Sequence, residues 1–337
     1  MSSSRRQTRH GVQWQRVHAS FEAGRTRVNS SSLGGMKQER SPVLETRGEI
    51  LRLNDGRALG YAQYGDPSAW PVLLFQGTPT SRLPHNPLST SVPVRLVVPE
   101  RPGFGCSDFS LGRRLLDWAS DVRELVDHLG IERFSVVGVS GGAPHALACG
   151  VKLSHRISRL GVVSGIGPLE ALGATSGMAA QRKAGALVAR HATFLLRPLF
   201  WAFRNPARNP ERFVQRFSDG FSAADRALLV DPIFRSLRIR SYAEATRLGV
   251  RGFAYEVALL TRPWDFSLSE VTSDVHLWHG EEDASTPISM ARHVAALLPR
   301  CHTRFFPGEG HFVAARHWEE IIGALTSQEP RACRPTS

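Results

Sequence analysis

One pentapeptide in the chain places a hydroxyl where chemistry needs it: Gly138-Val139-Ser140-Gly141-Gly142. A serine on a sharp turn from a strand into a helix stands clear of its neighbours, and such a turn has room only for glycine at the flanking positions. Ser140 is therefore a candidate nucleophile, with Oγ near the positive end of the next helix. A hydroxyl also needs a base and a group to orient that base, and in this kind of sheet they follow in the order acid, then histidine. Asp283, in His279-Gly280-Glu281-Glu282-Asp283, and His311, in Gly308-Glu309-Gly310-His311-Phe312, come in that order, each just beyond an apolar run. Acyl transfer develops an oxyanion that asks for two backbone donors. The amide of Gly141 is one candidate, and Thr78, in Gln76-Gly77-Thr78-Pro79, is the other. His279, His302, His311 and His317 show no HExxH or comparable ligand spacing, so neither a metal nor an organic cofactor is called for.

The elements that must carry these residues read as strands alternating with helices. Glu49–Leu53 and Ala58–Tyr64 flank an Asn54-Asp55-Gly56 turn and predict a hairpin. The apolar runs Pro71–Phe75, Val94–Pro99, Phe134–Val139 and Ile157–Val163 are too short for helices and suit buried parallel strands. Helical patterns cover Leu115–Leu129 and Gly142–Leu153. From Gly167 to about Asp265 the alternation stops, and an Arg-rich, Pro-punctuated stretch reads as an inserted helical cap. It resumes with a strand at Val275–His279, a helix at Pro287–Leu298, a strand at His302–Phe306 and a last helix at Ala314–Leu325. The expected organisation is a disordered basic tail (1–40), a first core part (41–165), the cap (166–265), a second core part (266–330) and a flexible C-terminus (331–337). The expected fold class is α/β, a mostly parallel sheet with helices on both faces.

Composition narrows the function classes. With 337 residues, 42% hydrophobic and 21% charged, the chain can bury a full core. The most apolar stretch, Phe194–Phe203, is short and interrupted by Arg197 and Pro198, so no membrane span is expected. The net charge of +12 is uneven: +6 over residues 1–40, +2 over 41–165, +7 over 166–265 and −3 over 266–337. No zinc-finger, RRM or KH signature accompanies the basic segments, and the charge reads as a solvated face with no nucleic-acid partner. The cap's arginines are expected to send their charges to water. Cys106, Cys149, Cys301 and Cys333 lie far apart and read as free thiols of a reducing, cytoplasmic setting. The Arg- and Ser-rich tail also fits an organellar transit peptide, and Met36 fits a second start of the folded part.

Taken together, residues from Gly48 to Leu325 resemble the α/β-hydrolases of the lid-bearing, esterase-like branch. The resemblance rests on Gln76-Gly77-Thr78-Pro79, on the loop from Pro99 to Asp108, on the elbow around Ser140, on His279–Asp283 and on Gly308–His311. It implies a serine triad of Ser140, His311 and Asp283, with Asp283 aligned in preference to Glu281 or Glu282, acting through an acyl-enzyme. It further implies a small-molecule ester as substrate, expected here to be a neutral, small to medium carboxylic ester, and leaves the oligomeric state open. Two positions depart from the family: Gln76 stands where His is usual, and Glu100 where Asp is usual. Haloalkane dehalogenases and epoxide hydrolases of similar fold use an Asp nucleophile, against which Ser140 speaks. Carbon–carbon bond hydrolases, aminopeptidases, cofactor-free haloperoxidases and non-catalytic ligand receptors of the same fold remain alternatives.

Overall fold

The computed structural model describes residues 48–327, apart from 85–87, 89, 172, 202–214, 216, 217 and 219. The expected tail, the expected flexible C-terminus, Phe203 and Cys333 lie outside the described residues. In chain order the strands are β1 (Glu49–Arg52), β2 (Ala58–Gly65), β3 (Pro71–Phe75), β4 (Arg95–Pro99), β5 (Phe134–Val139), β6 (Ile157–Val163), β7 (Val275–Gly280) and β8 (Cys301–Phe306). Helices α1 (Trp118–His128) and α2 (Ala143–Lys152) interleave with the first set. The cap follows β6 with α3 (Ala180–His191), α4 (Leu196–Trp201), α5 (Ala223–Val230), α6 (Pro232–Ala245) and α7 (Arg251–Thr261). Beyond it come α8 (Ile288–Leu297), α9 (Val313–Arg316) and α10 (Trp318–Thr326).

The eight strands form one sheet in the order β1-β2-β4-β3-β5-β6-β7-β8. The hairpin β1–β2 and the β2–β4 pair are antiparallel, and the pairs from β4 through β8 are parallel. From β3 the chain first runs to one side, to β4, and then crosses to the other, to β5. The carboxyl ends of β3 and β5 therefore flank the point where a parallel sheet opens a crevice for ligands. Phe75 and Gly138 lie opposite each other there, so the loop beginning at Gln76 and the turn at Ser140 leave the sheet side by side.

Alternate residues of the central strands feed two apolar layers. Leu73, Phe75, Val136, Leu160 and Leu277 pack under α1, α2 and α8, while Leu74, Val98, Val137, Val163 and Trp278 pack under α9 and α10. Each such side chain, fully buried, contributes about 1.5–3 kcal/mol. The last helical stretch, expected as one helix, is broken at His317, whose φ of −115° ends α9 before α10 begins. The His317 ring stacks on Phe306 at 3.9 Å, and its Nε2 pairs with Glu309 at 2.7 Å. Those contacts hold it out of helical geometry.

The cap helices have starts that are legible locally. Ser222 accepts from the Asp225 amide at the head of α5. Asp231 caps α6 by accepting from the amides of Ile233 and Phe234, with Pro232 in the first turn. Cys106, Cys149 and Cys301 are free thiols, and no described helix is long and apolar enough to cross a membrane.

Candidate active site

Ser140 sits where β5 turns into α2 with φ 54°, a conformation that costs a non-glycine residue about 1–3 kcal/mol and is held by its surroundings. A Cβ on Gly138 would come within 2.6 Å of the Gly142 carbonyl, and one on Gly142 within 2.0 Å of the Phe75 carbonyl. Both flanking glycines are thus fixed by close approach of α2 to β5 and of the turn to β3. Ser135, the other serine of β5, is occupied elsewhere. Its Oγ donates to the Leu325 carbonyl at 2.7 Å and lies 3.1 Å from the Trp70 indole nitrogen.

The structure brings the three dispersed residues together. His311 Nε2 lies 3.0 Å from Ser140 Oγ, and His311 Nδ1 lies 2.7 Å from Asp283 Oδ2. Asp283, on the loop after β7, also accepts from the amides of Ser285 at 2.7 Å and Thr286 at 2.9 Å and from the Thr286 hydroxyl at 2.8 Å. Burial pushes this carboxyl up, but the charge and hydrogen bond of His311 outweigh it and hold Asp283 at about 2. An ionised acid at Nδ1 selects the tautomer that leaves Nε2 free to accept the serine proton. His279, buried behind Asp283, has Nε2 2.6 Å from the Thr286 carbonyl, and burial pushes its pKa down, so it braces that loop as a neutral ring.

The loop after β3 faces the same hydroxyl. A Cβ on Gly77 would lie 3.3 Å from Ser140 Cβ, and one on Gly141 would lie 2.4 Å from Thr78 Oγ1, so Gly77 and the Thr78 side chain sit close against the turn at Ser140. Arg101 fixes that loop from below. Its guanidinium donates to the carbonyls of Gln76 at 2.6 Å and Gly77 at 3.0 Å and to Thr78 Oγ1 at 2.9 Å, while its Nε pairs at 2.6 Å with Glu256 of α7. Arg113 pairs with the other oxygen of Glu256, and burial of that carboxylate is outweighed by Arg113, His145 and Arg101, which hold it well below the usual range. The two departures from the family pattern also act on loop shape. Gln76 Nε2 donates to the carbonyls of Ser81 and Leu83, and Glu100 accepts from Arg82 and from the Cys106 amide.

A cleft of about 480 Å³, counting its open mouth, adjoins Ser140 and His311. Its cap wall corrects one sequence expectation. Phe200 of the cap stacks on Phe253 at 4.1 Å, and Phe194 and Trp201 are exposed. The wall is made instead by Phe221, Phe312, Tyr242, Arg182 and Arg238, so two of the cap's arginines turn inward and not to water. Sequence reasoning also missed Asp225. This buried carboxylate at the head of α5 accepts from the backbone amides of His311 at 2.8 Å and Phe312 at 2.9 Å, fixing the base from the cap side. The Ser222-x-x-Asp225 spacing marks a helix start, but no spacing signals its contact 86 residues further along the chain.

The described residues also contain a group able to hold a metal ion, Asp274, His276 and His302, with ligand atoms within 4.8 Å of one another. It lies at the amino ends of β7 and β8, the opposite end of the strands from Ser140. Its two histidines meet because β7 and β8 set His276 opposite His302, a register that a search for i, i+4 spacing does not see.

The profile of the alpha/beta hydrolase fold family matches residues 71–317. Among curated proteins, a haloalkane dehalogenase of Mycobacterium tuberculosis is 32% identical over 99 residues, 28% of this chain, and the match spans only 34% of that dehalogenase. A 2-hydroxy-6-oxo-2,4-heptadienoate hydrolase of Pseudomonas putida is 23% identical over 65% of this chain and 72% of its own length. Among solved structures, a hydrolase from Pseudomonas aeruginosa superposes with a TM-score of 0.60 at 18% identity, covering 83% of this chain and 98% of that one. A thermophilic esterase from Thermogutta terrifontis gives 0.59 at 20% identity, covering 83% and 96%. With a profile match running from β3 to His317 and a helical cap set between β6 and β7, the chain belongs to the alpha/beta hydrolase fold family.

Proposed function

We propose that the protein is a serine hydrolase that cleaves small to medium carboxylic esters through an acyl-enzyme, with Ser140 as nucleophile, His311 as general base and acid, and Asp283 as the orienting carboxylate. The observation that carries it is the unbroken relay from Asp283 through His311 to Ser140, at 2.7 and 3.0 Å, on a strained elbow that opens into a cleft. In this reading His311 takes the Ser140 proton as Oγ attacks the carbonyl, and the amides of Thr78 and Gly141 stabilise the oxyanion. His311 then returns the proton to the leaving alcohol, and activates water to release the acid.

The dehalogenase match does not carry its activity here, since a serine occupies the elbow. The Pseudomonas putida relative keeps carbon–carbon bond hydrolysis as the second reading, because its match extends over most of both chains. A fluorophosphonate probe followed by a panel of esters and carbon–carbon substrates tests the assignment. Ser140→Ala is expected to abolish labelling and turnover with the fold intact; label recovered on another serine would remove Ser140 from the role, and an unlabelled native protein would favour a receptor.

A further inference from the structure

Of the buried arginines in this protein, Arg101 and Arg113 are each answered by Glu256. Arg238, on α6, is not answered in that way. It is 8% exposed, and among the described residues no Asp or Glu oxygen lies within ion-pair distance of it. Its guanidinium lies 4.2 Å from the Phe312 ring and 5.3 Å from the Phe234 ring. These cation–π contacts, a side-chain hydrogen bond with Tyr242 and the more distant charge of Asp225 offset part of the cost of burying the guanidinium, but no described carboxylate touches it. The two acids nearest the cleft are committed. Asp225 accepts from the amides of His311 and Phe312 and from Ser222, and Asp283 accepts from His311, Ser285 and Thr286. Arg238 lines the same cleft as Ser140, and Arg182 of α3 lines it beside Phe221.

We propose that this cleft recognises a substrate carrying a carboxylate, which docks on Arg238 with Arg182 beside it and thereby sets the reacting carbonyl over Ser140. The proposal rests on the reading of Ser140 as an acyl nucleophile and replaces the neutral substrate expected from sequence. A planar carboxylate matches the fork of a guanidinium. A single negative charge fits better than the two of a phosphate, because Asp225 and Asp283 stand close by and repel the second.

The test compares kcat/KM for monomethyl and dimethyl glutarate, and for acetoxyacetate and its methyl ester, so that the charge sits first on the acyl and then on the alcohol side. In at least one pair the anionic member is expected to be preferred tenfold or more. That ratio is expected to fall at least tenfold in Arg238→Gln and to recover in part in Arg238→Lys. Neutral preference in both pairs, or an unchanged ratio in an Arg238→Gln protein of native melting temperature, would overturn the proposal. Should Arg238→Gln not fold, protection of the native protein from fluorophosphonate by glutarate decides: protection supports the site, and its absence overturns it. Stronger inhibition by inorganic phosphate than by glutarate would overturn the choice of a carboxylate. The two readings fail separately. Labelling of Ser140 without anion preference sinks this proposal alone, whereas glutarate binding by calorimetry in a protein that takes no label sinks the hydrolase reading alone.

Discussion

Among the carboxylates of the segment from His279 to Asp283, Asp283 alone reaches the imidazole, and Glu281 instead faces Arg292 at 3.6 Å. Asp283→Asn keeps the shape but weakens the preference for the tautomer that leaves Nε2 free. We expect kcat to fall by about 10²- to 10⁴-fold, with Glu282→Gln near normal; steady-state kinetics of the two variants checks this, and the reverse order would reassign the acid. The meeting of Ser140, His311 and Asp283 was legible in the sequence because each follows closely on a strand end, and strand ends are recognisable from short apolar runs. Arg238 was not. Nothing in a helical stretch says which face of a cap helix looks inward, and the general habit of arginine, charge to water, is overridden here by two aromatic rings and a cleft.

At the scale of elements, the sheet's strands matched their apolar runs to within a residue or two, whereas the split between α9 and α10 was hidden because His317 leaves the helix for tertiary partners, Phe306 and Glu309. The cap was legible as helical and inserted, but its contacts with the site were not. The most consequential of these is Asp225, which joins the head of α5 to the backbone of the base. Asp225→Ala leaves two buried N–H groups without acceptors, at about 1–3 kcal/mol each, and lets the His311 loop shift. Since a displacement of about 1 Å can cost 10²-fold in rate, we expect the rate of fluorophosphonate labelling to drop by about 10- to 100-fold. Asp225→Asn, which keeps one acceptor, should recover part of it. Unchanged labelling in Asp225→Ala would show that β8 and its loop place His311 unaided.

For the molecule as a whole, the low pKa of Asp283 links catalysis to acid tolerance. A carboxyl held at about 2 in the folded chain and near its ordinary 3.8 when unfolded adds stability that is fully present above pH 4 and is lost as pH falls towards 2. The shift corresponds to roughly 2 kcal/mol. Urea unfolding from pH 6 to pH 2 should therefore show the stability gap between the native protein and Asp283→Asn narrowing below pH 4; a gap that stays constant across that range would mean the carboxylate is not ionised in the fold. At this same scale the cap's three inward acids have an evolutionary meaning. Asp225 grips the His311 loop, Glu244 meets Arg82 at 2.7 Å, and Glu256 meets Arg101, which holds the loop from Gln76 to Thr78. An insertion tied to its host at only one point along the chain looks like a detachable module, free to be traded between relatives to change what they digest. This one is keyed: a foreign cap lacking an acid at any of the three places would bring a new pocket and leave the old machinery misaligned beneath it.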